Sequence, residues 1–321
     1  MISTNSKIYL AGHRGLLGAA INKQLQASGY QNVVTRTRAE TDLRNQALVE
    51  QLFARERPEA VILSAARVDG QQAVSSQPGD YLQANLAIGL NVIDAARRWG
   101  VKKLVYVASP QAFQTDFNQF NDKDFASVKG IVAANMAMAM AKRSIATMCQ
   151  AYAAQHGFDV TIAVPSYLYG PGESIEPSVA QIVPNLFNII ENARERGVQS
   201  VELPGQADEQ QDFLYVDDAA SALVKLLSAE TGSVPVAITS GQPTQFDQLA
   251  ANIARLLRFE GELAFSEDEQ AFMPYSDVDT SMMSSLGWKA KTSLSDGLQQ
   301  AYHWWVEQRK KPVGFAGRAA A

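Results

Sequence analysis

The chain reads as an α/β fold, a doubly wound parallel sheet with a smaller C-terminal lobe. Short apolar runs alternate with amphipathic helical patterns through the first half, the order that makes parallel strands with crossover helices. A glycine-rich loop, Gly12-His13-Arg14-Gly15-Leu16-Leu17-Gly18, follows the first run directly and opens the first helix. After Pro165 the rhythm breaks into an irregular stretch with Pro171, Gly172, Pro177 and Pro184. Such a stretch suits a lobe over the C-terminal strand edge, where ligands bind in open α/β sheets. Together these predict the Rossmann arrangement.

The elements follow in order. Strands are predicted over Lys7–Ala11, Asn32–Arg36, Ala60–Ala65, Lys103–Ser109 and Asp159–Val164, with helices over Leu16–Ser28, Asn45–Glu56, Tyr81–Trp99 and Val128–Gln155. Gly29, Gly100 and Gly157 follow three of these helices, where a left-handed C-cap is needed. Beyond them come a helix over Gln181–Arg194, a strand over Ser200–Leu203 and another over Phe213–Val216 leading through Asp217-Asp218 into a helix. The tail pattern Trp304–Lys311 is helical and stops at Pro312. Residues 1–165 form the dinucleotide domain in this division and 166–318 the substrate lobe. The strand near 212–217 and the helix after it are expected to return to the first domain.

Composition narrows the function. At 321 residues and 46% hydrophobic the chain can bury a full core. Its 28 basic and 33 acidic residues give a net charge of −5, and no Lys/Arg run exceeds three residues, so no nucleic-acid partner is expected. A single cysteine, Cys149, and three scattered histidines fit a cytoplasmic protein without a disulfide framework or structural zinc. Neither a signal peptide nor a membrane-length apolar run is expected.

The glycine loop has the context a dinucleotide site requires. Its glycines permit the tight turn, close approach of backbone to a pyrophosphate and close helix–strand packing, and the helix N-terminus favours the anion. The bland alternative is a glycine-rich turn without ligand. At the end of the second strand, where an NAD site carries an acid, stands Arg36-Thr37-Arg38, with Arg14 in the loop opposite. Guanidinium groups there suit a 2′-phosphate and favour NADP(H) over NAD(H), unless they are simply solvated loop charges. Asp42 and Leu43 are placed to flank the adenine.

The loop Ala11-Gly12-His13-Arg14-Gly15, the Arg36-Thr37-Arg38 signature, Pro165-Ser166-Tyr167-Leu168-Tyr169-Gly170-Pro171, Phe213-Leu214-Tyr215-Val216-Asp217-Asp218 and Asp279…Leu286-Gly287-Trp288 together resemble the GDP-L-fucose synthase family. These are extended short-chain dehydrogenase/reductases. The likeness runs from Lys7 to about Val306. It implies NADPH-dependent reduction of a GDP-4-keto-6-deoxy sugar after epimerisation beside the ketone. It also implies cofactor contacts at Ala65, Ala66, Lys142, Pro165 and Leu168, and a homodimer through the 128–155 helix.

The resemblance further implies a serine that binds the ketone, matched by Ser109, and a lysine that holds the nicotinamide ribose, matched by Lys142. The tyrosine that protonates the alkoxide belongs one helical turn before that lysine, on the same face. That place holds Met138. The epimerisation cysteine and histidine fall on Gln111 and Gln181, which hydrogen-bond but do not titrate. Substrate arginines fall on Ile189 and Gln211 and a tryptophan on Pro204, while Asp279 is kept. None of the ten tyrosines has a lysine four residues on; Tyr167 is the candidate substitute, or else a packed residue of the lobe hinge.

The expectation is therefore an NADP(H)-binding protein that has lost the parent epimerase–reductase machinery, with a degenerate, pseudoenzyme-like site. The alternative is altered chemistry on a more apolar or sugar-derived substrate, using Ser109 and Lys142. GDP-fucose synthesis by other residues, and loss of NADP binding itself, are the remaining alternatives.

Overall fold

The computed structural model describes residues 2–68, 76–114, 131–176, 181–266 and 279–310. A six-stranded parallel sheet forms the base: β1 (Ile8–Ala11), β2 (Val33–Thr35), β3 (Ala60–Leu63), β4 (Lys103–Val107), β5 (Val160–Pro165) and β9 (Pro235–Ile238), in the order β2-β1-β3-β4-β5-β9. All four residues of β1 and of β3 are buried, because helices cover both faces of the sheet; hence continuous apolar runs rather than alternation.

One face carries α1 (Leu16–Ala27) and α7 (Val216–Leu226), packed on Ile8, Leu10 and Val105. The other carries α2 (Gln46–Glu56), α3 (Pro78–Arg98) and α5 (Ile131–His156), packed on Tyr9, Val61 and Tyr106. Between β4 and α5 lies a short helix, α4 (Gln111–Gln114). The predicted left-handed caps are present, with φ of 83° at Gly29, 71° at Gly100 and 64° at Gly157. Helix α3 starts three residues before Tyr81, because Pro78 takes the first helical position, where its missing N–H costs nothing.

The lobe has its own core. A three-stranded sheet runs β10 (Pro243–Gln245), β8 (Gln210–Tyr215), β6 (Tyr167–Tyr169), and β7 (Ser200–Leu203) pairs in parallel with β11 (Glu262–Phe265). Helices α6 (Ile182–Arg196), α8 (Phe246–Leu257) and α10 (Leu294–Lys310) bury Phe187, Phe246 and Trp305 against them. The short α9 (Ser281–Ser285) buries Met283 in the core under β9. Helix α10 begins ten residues before Trp304, where the Ser293 hydroxyl accepts from the Asp296 N–H at 3.1 Å and donates to its carboxylate. The 212–217 region divides its allegiance. Strand β8 pairs with β6 and β10 rather than with the large sheet, and it is α7 that returns to pack beside α1.

One buried carboxylate joins the two parts. Asp212 in β8 is 1% exposed and accepts from Ser166 Oγ (2.5 Å), Ser240 Oγ (2.7 Å) and the N–H groups of Ser240 (2.8 Å) and Gly241 (2.9 Å). Ser166 lies where the chain leaves β5 for β6, and Ser240-Gly241 where it leaves β9 for β10. Two passages between large sheet and lobe are thus tied to one side chain.

Removing this acceptor strands several buried donors at once, a loss of about 3–5 kcal/mol. Asp212→Ala is expected to lower the melting temperature by roughly 10 °C, with Ser166→Ala costing a small fraction of that. Thermal unfolding followed by circular dichroism checks both.

Candidate functional site

The site begins at the C-terminal end of β1. Gly12 has φ of +90°, and a Cβ there would lie 2.7 Å from the Ala65 nitrogen. At Gly18 it would lie 1.9 Å from the Gly12 carbonyl. These two glycines let the loop close against β3 and let α1 close against the loop. Gly15 differs: its nearest neighbour would be 3.6 Å away, leaving room for a ligand above it. Gly15 is the N-cap of α1, with no side-chain cap and no acid in the first turn, so the leading N–H groups face that open space. A pyrophosphate fits there on both geometric and electrostatic grounds. Leu16 and Leu17 open the helix beneath it, Leu17 buried. The half-buried His13 has an Nδ1 without a hydrogen-bond partner among the described residues; burial and the nearby Arg14 charge hold its pKa below the usual value.

At the β2 end the basic groups are unequally free. Arg36 is bonded to Glu56 Oε1 at 2.5 Å and to the Thr35 carbonyl at 2.6 Å. Asp42 takes a bidentate grip from Arg44, at 3.0 and 2.5 Å, with Arg38 Nε 3.8 Å away. Arg14 is exposed, with no ion pair among the described residues. A 2′-phosphate would meet Arg14 first and would have to share Arg36 with Glu56. Leu43 packs against the core, and its carbonyl accepts from Asn91 at 2.9 Å.

Over β3 and β4 lies a second cluster of candidate residues. Ala65, Ala66, Asn85, Tyr106 and Lys142 line a cavity of about 10 Å³, room for roughly one water. Lys142 Nζ donates to the Val107 carbonyl at 2.8 Å and lies 5.4 Å from the Tyr106 ring centre. No carboxylate among the described residues balances its charge, and burial pulls its pKa down to about 8. The bond to Val107 brings Lys142 to the end of β4, two residues before the half-buried Ser109, whose carbonyl accepts from the Ala112 N–H at 3.0 Å. Gln111, also half-buried, opens α4.

Met138 stands one turn before Lys142, packed on the fully buried Tyr81. Its sulfur accepts from Asn85 Nδ2 at 3.3 Å. Asn85 also binds the Arg67 backbone through both N–H (2.8 Å) and carbonyl (3.1 Å), and the Arg67 guanidinium covers the Tyr81 ring at 4.0 Å. The slot expected to hold a phenol is therefore filled by a thioether that accepts one weak bond and carries no proton.

The lobe supplies the facing wall. The Tyr167 hydroxyl donates to Gln181 Oε1 at 3.2 Å, its ring leans on Phe213 at 5.7 Å, and burial raises its pKa well above the ordinary phenol value. Pro165 closes β5, and the half-buried Leu168 packs toward the large-sheet core. Ile189 packs into the lobe core, and Gln211 Oε1 is taken by the Asp212 N–H at 3.0 Å. Asp279 is exposed and caps the Ser281 N–H at 2.8 Å, while Pro204 is exposed beyond β7. So the fold groups Ser109, Met138 and Lys142 around β4 and α5, and pairs Tyr167 with Gln181. No hydrogen bond or ion pair among the described residues joins Gln211 or Asp279 to either group.

Sequence reasoning passed over Asn85, Glu56 and Glu173. Glu173 is 4% exposed in the loop after β6, and neither carboxylate oxygen has a hydrogen-bond partner among the described residues. Its sequence context is an ordinary Gly-Pro-Gly-Glu turn, which signals exposure rather than burial.

Residues 8–238 match the model of the NAD dependent epimerase/dehydratase family. The chain belongs to that family. Within the NAD dependent epimerase/dehydratase family it is 38% identical to GDP-L-fucose synthase 1 of Arabidopsis thaliana, covering 96% of this chain and 95% of the relative. It is 28% identical to the GDP-L-fucose synthase of Escherichia coli, covering 96% and 99% respectively. Among solved structures, a GDP-D-glycero-L-gluco-heptose synthase from Campylobacter jejuni, obtained in the presence of NADPH, superposes with a TM-score of 0.78 at 27% identity, over 95% of this chain and all of the other. A GDP-L-fucose synthetase from Naegleria fowleri bound to NADP shares the fold, with a TM-score of 0.82 at 20% identity over 97% and 95%.

The depressed pKa of Lys142 has a stability signature. The folded state releases this proton near pH 8 and the unfolded chain near 10.5, so stability rises as pH increases through that window. Lys142→Met is expected to abolish a rise of about 1–2 kcal/mol, measured by urea unfolding between pH 7.5 and 10.

Proposed function

We propose that this chain is an NADP(H)-dependent oxidoreductase on the GDP-L-fucose synthase scaffold whose proton transfer does not pass through helix position 138. The carrying observation is the division of the site. The loop open above Gly15 and the half-buried Lys142 beside the Ser109 turn are present, while Met138 fills the phenol slot under Asn85. When bound, a reduced nicotinamide supplies a hydride. The first turn of α1 holds the pyrophosphate, and Arg14, with Arg36 shared from Glu56, takes the 2′-phosphate. Lys142 holds the nearby ribose, and the Ser109 hydroxyl donates to a ligand carbonyl. Gln111 and Gln181 orient a ligand without moving protons.

The substrate in this reading is sugar-derived or more apolar than a GDP-sugar, because no guanidinium occupies positions 189 or 211. A homodimer through the 128–155 helix belongs to the same proposal and is checked by light scattering. A second reading, a cofactor-binding scaffold without turnover, is favoured by the Asn85–Met138–Tyr81 packing that occupies the phenol slot.

Titration of the pure protein with NADPH and NADH, followed by thermal shift and nicotinamide fluorescence, tests the assignment. NADPH is expected to bind more tightly than NADH, and joint Arg14→Ala and Arg36→Ala replacement to reduce that preference by about tenfold or more. Absence of a response to either nucleotide refutes the cofactor assignment. No GDP-L-fucose is expected from GDP-4-keto-6-deoxymannose and NADPH, since three proton-transfer positions are non-titrating; product formation at an ordinary enzymatic rate refutes the altered chemistry.

A further inference from the structure

Burial without a partner is costly for a carboxyl group, and Glu173 shows it in full. Among the described residues it is the carboxylate with both oxygens buried and unpaired. Its pKa is raised to about 8 by burial; the Gly170 N–H, which is not in hydrogen-bonding geometry with it, offsets this only in part, and no cation among the described residues contributes. At neutral pH it is an uncharged acid, presenting one donor and one acceptor.

Its place in the fold says what could use them. The loop that carries it follows β6, which in turn follows β5. In it Gly172 has φ of +103°, and a Cβ there would come within 3.7 Å of Leu16, the first residue of α1. The loop therefore closes on the helix end that faces the pyrophosphate. It comes from the β5 side of the sheet, across β1 from the β2 edge where Arg36 and Glu56 stand. In a doubly wound sheet the two halves of a dinucleotide lie to either side of that helix. Arg36 marks the adenosine half, so Glu173 belongs to the other. Tyr167, in the strand just before it, is the ionisable neighbour coupled to it, and Leu16 brings none. Lys142, lining the cavity beside β3 and β4, titrates in the same range. His13 faces Arg14 and Glu40 instead.

We propose that Glu173, as a neutral carboxylic acid, pairs with the primary carboxamide at the ring end of the bound dinucleotide. A protonated carboxyl and a primary amide are complementary: O–H donates to the amide oxygen, and the amide N–H donates to the carboxyl oxygen. This deepens the cofactor assignment above and rests on it. It also gives hydrogen-bond partners to a buried acid whose two oxygens have none among the described residues.

The test is a binding measurement on the full chain that needs no turnover. The unaltered protein, Glu173→Gln and Glu173→Ala are titrated with three ligands: NADPH, its 3-acetylpyridine analogue in the reduced form, and 2′-phospho-ADP-ribose, which lacks the ring. Glu173→Ala is expected to weaken NADPH about tenfold and to leave 2′-phospho-ADP-ribose unchanged. Glu173→Gln keeps a neutral donor and acceptor and is expected to bind NADPH within about threefold of the unaltered protein. The acetylpyridine analogue, without amide N–H groups, is expected to be less sensitive than NADPH to Glu173→Ala. NADPH affinity of the unaltered protein is expected to fall between pH 7.5 and 9 more steeply than that of Glu173→Gln, the difference isolating Glu173 from Lys142.

Equal NADPH affinity in Glu173→Ala and the unaltered protein overturns the proposal and leaves the cofactor assignment standing; it would point to a substrate amide or hydroxyl as the partner. Equal losses for NADPH and 2′-phospho-ADP-ribose also overturn it, as damage to the loop. Should Glu173→Ala fail to fold, identical pH profiles for Glu173→Gln and the unaltered protein overturn it independently. No NADPH binding by the unaltered protein overturns both inferences.

Discussion

The geometry of the cleft depends on one carboxylate. Asp212 gathers donors from the β5–β6 crossing and the β9–β10 crossing, so lobe and sheet share a fixed point instead of a flexible seam. The strand β6 that leaves this point carries Tyr167, and the loop beyond it carries Glu173 and approaches Leu16. Everything on the lobe wall is therefore positioned relative to the glycine loop through a few buried hydrogen bonds. Such bonds are strong where water is excluded and expensive to leave half made. Rigidity at the crossing allows small side chains on each side to define a site.

Two titratable groups, the half-buried Lys142 and the buried Glu173, give the cleft its electrostatic character. Among the described residues Lys142 has no counter-charge and Glu173 no cation; burial moves their pKa values toward each other, to about 8 in both cases. The two do not form an ion pair: Lys142 is engaged by the Val107 carbonyl, and no cation among the described residues influences Glu173. Groups held near neutrality with incomplete partners mark places where a ligand completes the set. The structural carboxylates behave differently: Asp218 and Asp212 are surrounded by donors from their own chain.

Features set by local chemistry were legible in the sequence. The apolar runs of β1, β3, β4 and β5 were plain because both sheet faces are covered, and Gly29, Gly100 and Gly157 stop helices for a steric reason written in one residue. The glycine loop and the Met138–Lys142 spacing were equally direct. What escaped depends on distant partners. Pro235–Ile238 is a short segment whose strand character comes from pairing with β5. The hold of Glu56 on Arg36 spans twenty residues, and the burial of Glu173 needs the lobe folded onto α1. Ile189, at a position where the resemblance implies a substrate arginine, packs into the lobe core because α6 turns that face inward.

The fit of Met138 between Tyr81 and Asn85 also bears on how the chain could change again. Methionine and tyrosine codons differ at every position, so a phenol returns only through intermediates that must each occupy this half-buried slot. A path through lysine would set a second cation beside Lys142, which has no counter-charge among the described residues. Routes through leucine or isoleucine and then phenylalanine keep the slot apolar at every step and leave Asn85 its bonds to Arg67 and Tyr81. The hydroxyl would arrive last, on a ring already packed. The same slot that excludes the phenol today thus determines the order of substitutions by which it could be regained.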